Sequence, residues 1–510
     1  MIMGTLHDGL HAAAAKYPDA QAVLARDDRW TFADLYRASN ALAAELALHG
    51  VGVSTRVAIM TSNRPEFVVA VNAISKLGAI SVLLNSAWKA FEVGSALQLT
   101  EFSAAVADGE GVGLLESCLE GLVLDLDDEV VRNGSAFDRT SEQPPPGVGV
   151  DPADDAIFVF SSGTTDRPKA VRHTHGSISL ATEHWCLALG LSPTDRFQVA
   201  TPPSHILGLL NLLAAAQAGA SVRLHRRFDL NEELRCIQDE RMTLEMAVAP
   251  IALAMANHPD LESFDLSSLR YIMWGATPVT ASVAEVVTAR TGVRWLPAYG
   301  TSEVPVITSN PVNSPSDWRL DSPGQAVGDV ELRAVDLESG RVLEAGGIGE
   351  IEVRSASAMA GYLPDAETAA AFDNGWYRTG DVGWLEDGGW VHLTDRCKEM
   401  IKVNGFQVAP AEIESVLHGH PAVVDCAVFG VPDERAGEVP IAAVQLEPGT
   451  SIDAADLMKM VGDALATYKQ LRSVVMVDAV PRTPSGKVLR RTLREQWLAG
   501  EFSTSSTGVG

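Results

Sequence analysis

The sequence predicts an α/β protein: a large N-terminal domain of parallel sheets covered by helices and carrying a small β subdomain, followed by a small α+β C-terminal domain. Three observations lead there. Strand and helix signals alternate through the first part of the chain, the rhythm of a largely parallel sheet. Between about 320 and 395 the pattern changes to short β runs separated by glycines (VELRAVD, GEIEVRS, GWVHLTD), which predicts a small antiparallel unit. Beyond Asp395 a further stretch of about 110 residues remains, itself the length of a domain. The expected division is 1–395 and 396–510.

The elements follow in order. Thr31-Phe-Ala-Asp34 is a capping-box-like start, Leu35, Ala38, Leu42 and Leu46 then recur at helical spacing, and Gly50 closes the segment. Val57–Met60 reads as a short buried strand, Pro65 opens a helix ending near Gly78, and Ile80–Leu84 is the next strand. Residues 133–155 are polar and rich in Pro and Gly, an exposed connection. Ile206–Ala220 is the densest apolar run, but Gly208, Asn211 and Gln217 interrupt it, so it reads as a buried helix. In the last domain Val423–Phe429 and Ile441–Leu446 read as strands and Ala454–Tyr468 as a helix. The final ten residues, small and polar, predict disorder.

Composition narrows the function. The 510 residues carry a formal net charge of −27 and a pI near 4.8. That disfavours nucleic-acid partners, which want basic patches, and adhesion to anionic membranes; it suits solubility. Five cysteines, scattered and without a CxxC pair, fit reduced thiols in a cytoplasmic setting better than a metal cage or disulfide framework. The N-terminus lacks the basic region and apolar core of a signal peptide, and no stretch reaches the ~18 apolar residues of a membrane span.

Phe158–Val171 reads FVFSSGTTDRPKAV, an apolar strand running into a small hydroxyl and glycine loop and then a lysine. Gly163 lets backbone approach a ligand, Ser161, Ser162, Thr164 and Thr165 offer hydroxyls, and consecutive amides can form an anion nest. Lys169 adds a compact positive charge for a phosphate. The spacing is not that of a Walker A loop, and read alone a loop of this composition is commonly a surface turn. Downstream lie Tyr299-Gly300-Thr301-Ser302-Glu303, then Tyr377-Arg378-Thr379-Gly380-Asp381, then Asp395-Arg396-Cys397-Lys398-Glu399 leading into Ile401–Glu412, and finally Pro481-Arg482-Thr483-Pro484-Ser485-Gly486-Lys487. In this order and spacing the set resembles the adenylate-forming superfamily, in particular its acyl-CoA synthetase and 4-coumarate–CoA ligase branch, over about Trp30 to Arg494.

The resemblance implies a two-step reaction. A carboxylate attacks the α-phosphate of ATP to give an acyl-adenylate and pyrophosphate, then the thiol of coenzyme A takes the acyl group and AMP leaves. It implies ATP, Mg²⁺ and CoA, a small-molecule carboxylic acid, and a mobile C-terminal domain hinged near Lys398. Lys487 is the implied catalytic lysine, with Ser302 and His205 beside it, and Glu303 the metal carboxylate. Tyr299 with Gly300 and Thr301 on one side and Gly275, Ala276 and Thr277 on the other would flank adenine. Asp381 would take the ribose hydroxyls and Arg396 a ribose or phosphate oxygen. Gly405 would make room for the pantetheine arm, with Lys402 near that channel. Arg490, Arg491 and Arg494 would meet CoA phosphates or form a solvated basic face.

Two departures from the family pattern carry information. Asp166 and Ala170 stand where the loop usually has Gly, and an acid beside the triphosphate motivates a rival reading as a non-catalytic nucleotide-binding module. Trp274, Leu296, Ala298, Val304 and Pro305 add bulk where relatives have smaller residues. His205, Trp274, Ala298 and Val304 are therefore the candidate acyl pocket, expected to favour short, medium or compact cyclic acids. A carrier-protein thiol in place of CoA is the rival within the fold. The sequence is silent on oligomeric state.

Overall fold

The structure is a computed structural model that describes residues 4–128, 131, 135–141, 147–161, 169–275, 281–397, 399–404, 406–433, 435–482 and 487–502. The α/β reading holds. A seven-stranded sheet runs Gly361–Leu363, Lys169–Thr174, Asp155–Ser161, Ile80–Leu83, Arg56–Met60, Ala104–Ala107, Val123–Asp125, and its strands from Asp155–Ser161 through Val123–Asp125 pair in parallel. These strands are buried on both faces, which is why they read as unbroken apolar runs. A four-stranded sheet (Asp28–Thr31, Gln21–Ala25, Ser221–Leu224, Arg196–Val199) and a five-stranded sheet beginning Leu244–Ala247, Tyr271–Trp274, Trp295–Tyr299 complete the α/β part.

The largest core cluster lies among the helices Phe32–Leu48, Pro65–Lys76, His175–Leu189 and Ile206–Ala218 and reaches Met273 and Leu296 of the five-stranded sheet. The capping box at Thr31 is present: its hydroxyl accepts from the Asp34 amide (3.1 Å) and the Asp34 carboxylate accepts from the Thr31 amide (2.8 Å). Ile206–Ala218 is a buried helix, as its interrupted apolar run predicted.

Glu331–Val335, Gly349–Arg354, Trp376–Leu385 and Val391–Arg396 form the antiparallel unit expected between 320 and 395. The chain then builds a sheet from Phe406–Val408, Ile401–Val403, Gly437–Leu446, Val423–Asp433 and Ser473–Met476. Its two core clusters draw only on residues from Ile401 to Phe502.

Three expectations change. Ala136 and Phe137, inside the supposed exposed connection, are buried in the main core. The C-terminal helix runs Ala454–Ala464, and Thr467–Lys469 is a separate 3-10 turn. Phe502, within the final ten residues, packs against Trp497 and the second C-terminal cluster, while 503–510 lie outside the described residues. Among the described residues no helix is long and apolar enough to cross a membrane.

Candidate active site

The strands Asp155–Ser161 and Lys169–Thr174 pair antiparallel, with Ser161 opposite Lys169. Lys169 thus begins the strand that follows the glycine and hydroxyl stretch. Ser162, Gly163, Thr164 and Thr165 lie outside the described residues, as does the side chain of Ser161. Ala170 is a fully buried strand residue, facing Phe160 on one side and Leu363 on the other, which a β-carbon suits better than glycine. The Lys169 ammonium meets the Glu367 carboxylate at 2.5 Å and lies 5.4 Å from the centre of the Tyr362 ring.

Tyr299 ends the strand Trp295–Tyr299 and opens the second motif. Gly300 has no room for a side chain: a β-carbon would stand 2.1 Å from the Pro305 carbonyl oxygen. Thr301 closes the turn that follows, its hydroxyl accepting from the Val304 amide (3.0 Å) and its own amide donating to the Val304 carbonyl (3.0 Å). The Ser302 carbonyl accepts from buried His173 Nε2 (2.8 Å), and the Glu303 carboxylate accepts from the Tyr362 hydroxyl (2.7 Å).

Asp381 lies in Trp376–Leu385 opposite Arg396 on the neighbouring strand. Its carboxylate accepts from the Tyr299 hydroxyl (2.5 Å) and from Arg396 Nε (3.0 Å). Burial pushes the Asp381 carboxyl above its ordinary value, with Arg396 opposing, and burial plus the Asp381 charge push the Tyr299 phenol well up. Lys487, half-buried, stands in the field of Arg396, Glu399 and Asp381; burial is the main reason its pKa lies below that of an ordinary lysine. A lysine from the C-terminal region thus lies within electrostatic range of Asp381 and Arg396, which also feel the charge of Glu303.

The remaining candidates divide. His205 caps the helix Ile206–Ala218, Nδ1 accepting from the Leu207 amide (3.3 Å), and burial lowers its pKa and keeps it neutral. Gly275 is buried beside Met273, whose sulfur would lie 3.2 Å from an added β-carbon, while Ala276 and Thr277 lie outside the described residues. Lys402 is exposed on Ile401–Val403, its amide donating to Glu438 (3.0 Å); Lys398 and Gly405 lie outside the described residues.

The pocket candidates do not form one cluster. Along Tyr271–Trp274 the side chains alternate: Tyr271 and Met273 join the main core, and Ile272 and Trp274 the opposite one. The Trp274 ring sits 5.0 Å from that of Trp295, fully buried beneath the helices Ala249–Ala256 and Ala281–Thr291. Ala298 packs instead on the main core and Val304 in the core under the antiparallel unit. Trp274 is thus a core residue and not a wall shared with Ala298 and Val304. Arg490, expected to reach CoA phosphates or solvent, is instead held in ion pairs with Glu399 and Glu414.

Sequence reading missed Tyr362 and Glu367, the residues that hold Glu303 and Lys169. They reach the site because Gly361–Leu363 adds to the edge of Lys169–Thr174, Tyr362 opposite Val171. That is a pairing across nearly two hundred residues with no local signature.

The chain matches the AMP-binding enzyme family over residues 10–363 and the AMP-binding enzyme C-terminal domain over 412–487. It is 34% identical to 4-coumarate–CoA ligase 2 of Oryza sativa subsp. japonica, across 97% of this chain and 92% of that one. Among solved structures it is similar to the anthranilate CoA ligase AuaEII in complex with anthranoyl-AMP (27% identity, TM-score 0.89, 98% and 99% of the two chains). It is equally similar to ATP-bound MatB from Rhodopseudomonas palustris (27%, TM-score 0.88, 97% and 99%). The chain belongs to the AMP-binding enzyme family. Within it, the chain is an acid–thiol ligase of the acyl-CoA synthetase, 4-coumarate–CoA ligase-like branch.

Proposed function

We propose that this enzyme joins a compact carboxylic acid to coenzyme A in two steps at the expense of ATP, through an acyl-adenylate. The observation that carries the reading is the grouping of Tyr299, Asp381 and Arg396 in direct contact, with Lys487 within electrostatic range of Asp381 and Arg396. Adenylation brings a carboxylate against a phosphate, two anions, and preorganised cations in a poorly hydrated cleft stabilise the charge that develops between them. Lys487 neutralises the attacking carboxylate and the α-phosphate oxygens. Asp381, with two side-chain partners among the described residues, has further acceptor capacity and takes the ribose hydroxyls, with Arg396 alongside and Tyr299 presenting its ring to adenine. Ser302 and Thr301 offer hydroxyls to phosphate oxygens, and Lys169 binds the β- and γ-phosphates with the loop 161–165.

The donor set fits Mg²⁺. Among the described residues no group of three His, Cys, Asp or Glu could cage a metal, and Glu303 offers one hard carboxylate oxygen set, as suits an ion that arrives on phosphate and keeps several waters. Glu303 would hold it together with the nucleotide, and when bound it offsets phosphate charge.

We assign 1–395 to the adenylation domain and 396–510 to a C-terminal domain turning near Lys398; the separate core clusters of the last hundred residues support this. Such a turn would exchange the Lys487 face for the Gly405 and Lys402 face. A compact cyclic acid is favoured because the relatives above are named for 4-coumarate and anthranilate, and because Met273, Leu296 and Ala298 are side chains of the main core and leave no glycine-sized gap at those positions. Reduced thiols suit a cytoplasmic setting.

The test separates the half-reactions. Acid-dependent exchange of pyrophosphate into ATP, across a graded panel of acids, reports adenylation; absence of exchange with every acid would favour the nucleotide-binding module. Lys487→Ala loses exchange yet converts supplied acyl-adenylate to thioester, and Gly405→Leu does the reverse. Loss of the same half-reaction in both would refute the division of labour. Replacing CoA with a phosphopantetheinyl carrier decides the acceptor.

A further inference from the structure

Lys487 directly precedes a residue that pairs back onto the strand-like segment at Arg482. Arg482 and Val488 form a β-bridge, and the Leu489 amide donates to the Pro481 carbonyl (2.9 Å). Immediately after it Arg490 opens the helix Arg490–Leu498. Its guanidinium turns inward and engages three separate pieces of chain. Nε donates to the Val428 carbonyl (2.9 Å), Nη2 donates to both Glu414 carboxylate oxygens (2.8 and 2.9 Å), and Nη1 pairs with Glu399. Glu414 is in turn pinned to the same strand, accepting from the Val428 amide (2.7 Å).

These partners have different positions in the molecule. Val428 and Glu414 belong to the sheet and the helix Pro410–His418 of the C-terminal region. Glu399 stands two residues beyond Cys397 in the connection from the antiparallel unit, where its amide donates to the Arg396 carbonyl (2.9 Å). Its charge acts on both Arg396 and Lys487. One half-buried guanidinium thus ties the segment just after Lys487 to the body of the C-terminal region and to the segment that leads back to Arg396 and Asp381. Only a planar fork with donors on three sides can do this; an ammonium on a flexible stem cannot hold all three at once.

We propose that Arg490 is a positioning residue for adenylation: through Glu414 and Val428 it fixes the segment that carries Lys487 to the C-terminal sheet, and through Glu399 it registers that unit against the segment bearing Arg396. This rests on the assignment of Lys487 above. The two halves of the reaction would feel it unequally, because thioester formation is assigned to a different face of the C-terminal region.

The test uses the full-length enzyme and two assays, pyrophosphate exchange for adenylation and conversion of supplied acyl-adenylate to thioester. Arg490→Lys keeps the charge and loses the fork. It lowers kcat for exchange by about 10- to 100-fold, leaves KM for ATP within about 3-fold, and leaves the thioester step within about 2-fold. Glu399→Gln keeps the Glu414 and Val428 anchors and removes the link toward Arg396. It lowers the same half-reaction by a smaller factor, and it carries the test by itself should Arg490→Lys not fold. Exchange at the wild-type rate in the variants, or an equal fall of both half-reactions, overturns the proposal; an equal fall marks a merely structural arginine. Lys487→Ala is run in parallel. If it keeps exchange, the assignment of Lys487 itself has failed, an outcome distinct from an intact Lys487 requirement with an indifferent Arg490.

Discussion

Asp381 and Asp425 are buried alike, each 7% exposed, and each faces an arginine, yet their environments push them in opposite directions. Around Asp381 burial wins: one Arg396 nitrogen and the Tyr299 hydroxyl leave the carboxyl raised. Around Asp425 burial is again the largest single influence, but His418 and a forked Arg482 outweigh it together. The Cys426 amide adds a further bond at 2.8 Å, and the carboxyl is lowered. A carboxylate has about four acceptor positions. Asp425 has committed them to its own protein and serves as a joint. Asp381 keeps capacity for an outside donor and carries an energetic burden until one arrives. Burial does not mark a site; an incomplete set of partners does.

The comparison can be broken most sharply at Glu303, a third carboxylate held by a single tyrosine hydrogen bond among the described residues. Glu303→Gln keeps an acceptor for Tyr362 and removes the charge. Adenylation is expected to fall on the order of 100-fold, with partial recovery at high Mg²⁺ and weaker Mg–ATP binding by calorimetry. An unchanged rate at limiting Mg²⁺ excludes Glu303 as the metal carboxylate.

Asp381→Asn comes next. The role proposed for Asp381 at the ribose hydroxyls predicts a cost of about 1.5–3 kcal/mol, a rise in KM for ATP of roughly 10- to 100-fold. The melting temperature does not fall, because the neutral amide no longer bears the cost of a buried charge. A raised carboxyl contributes stability that is present below its unfolded pKa and lost as pH rises through the folded value, so the variant gains on the wild type as pH increases. Activity loss accompanied by a drop in Tm at neutral pH would make Asp381 a structural residue like Asp425.

Asp425→Asn has the opposite profile. It strands Arg482 and costs about 1–3 kcal/mol at neutral pH, with adenylation per folded molecule retained. The sign follows from the lowered carboxyl: its contribution is present above the unfolded value near 4 and is lost as pH falls through the lower folded value. The gap between variant and wild type, measured by denaturant melts, closes below about pH 4. A gap that widens on acidification contradicts the assignment.

The smallest effect is expected at Trp274. Trp274→Phe removes volume from a packed core and costs about 1–3 kcal/mol, with the preference among acids of different length unchanged. A shift toward longer acids would return the indole to the acyl pocket.

Much of this was legible in the order of residues. The capped helix at Thr31, the buried helix after His205 and the antiparallel unit after Gly324 are local patterns, each written in the period of its own side chains. The motif residues Tyr299, Gly300, Asp381, Arg396 and Lys487 could be named because each sits in a short signature. Which strand face Trp274 occupies was not legible, since both faces of that strand are apolar and alternation has no contrast to show. Tyr362 on Glu303, Glu367 on Lys169 and Arg490 on Glu399 were not legible either. Each joins residues far apart in the chain, and an ion pair or hydrogen bond leaves no periodicity behind. Sequence determined the elements, the family and the residues proposed for the nucleotide site, because those depend on local geometry and on short motifs. The tertiary structure decided which charges are saturated and which are left with capacity, because that depends on what other strands and helices bring within 3 Å.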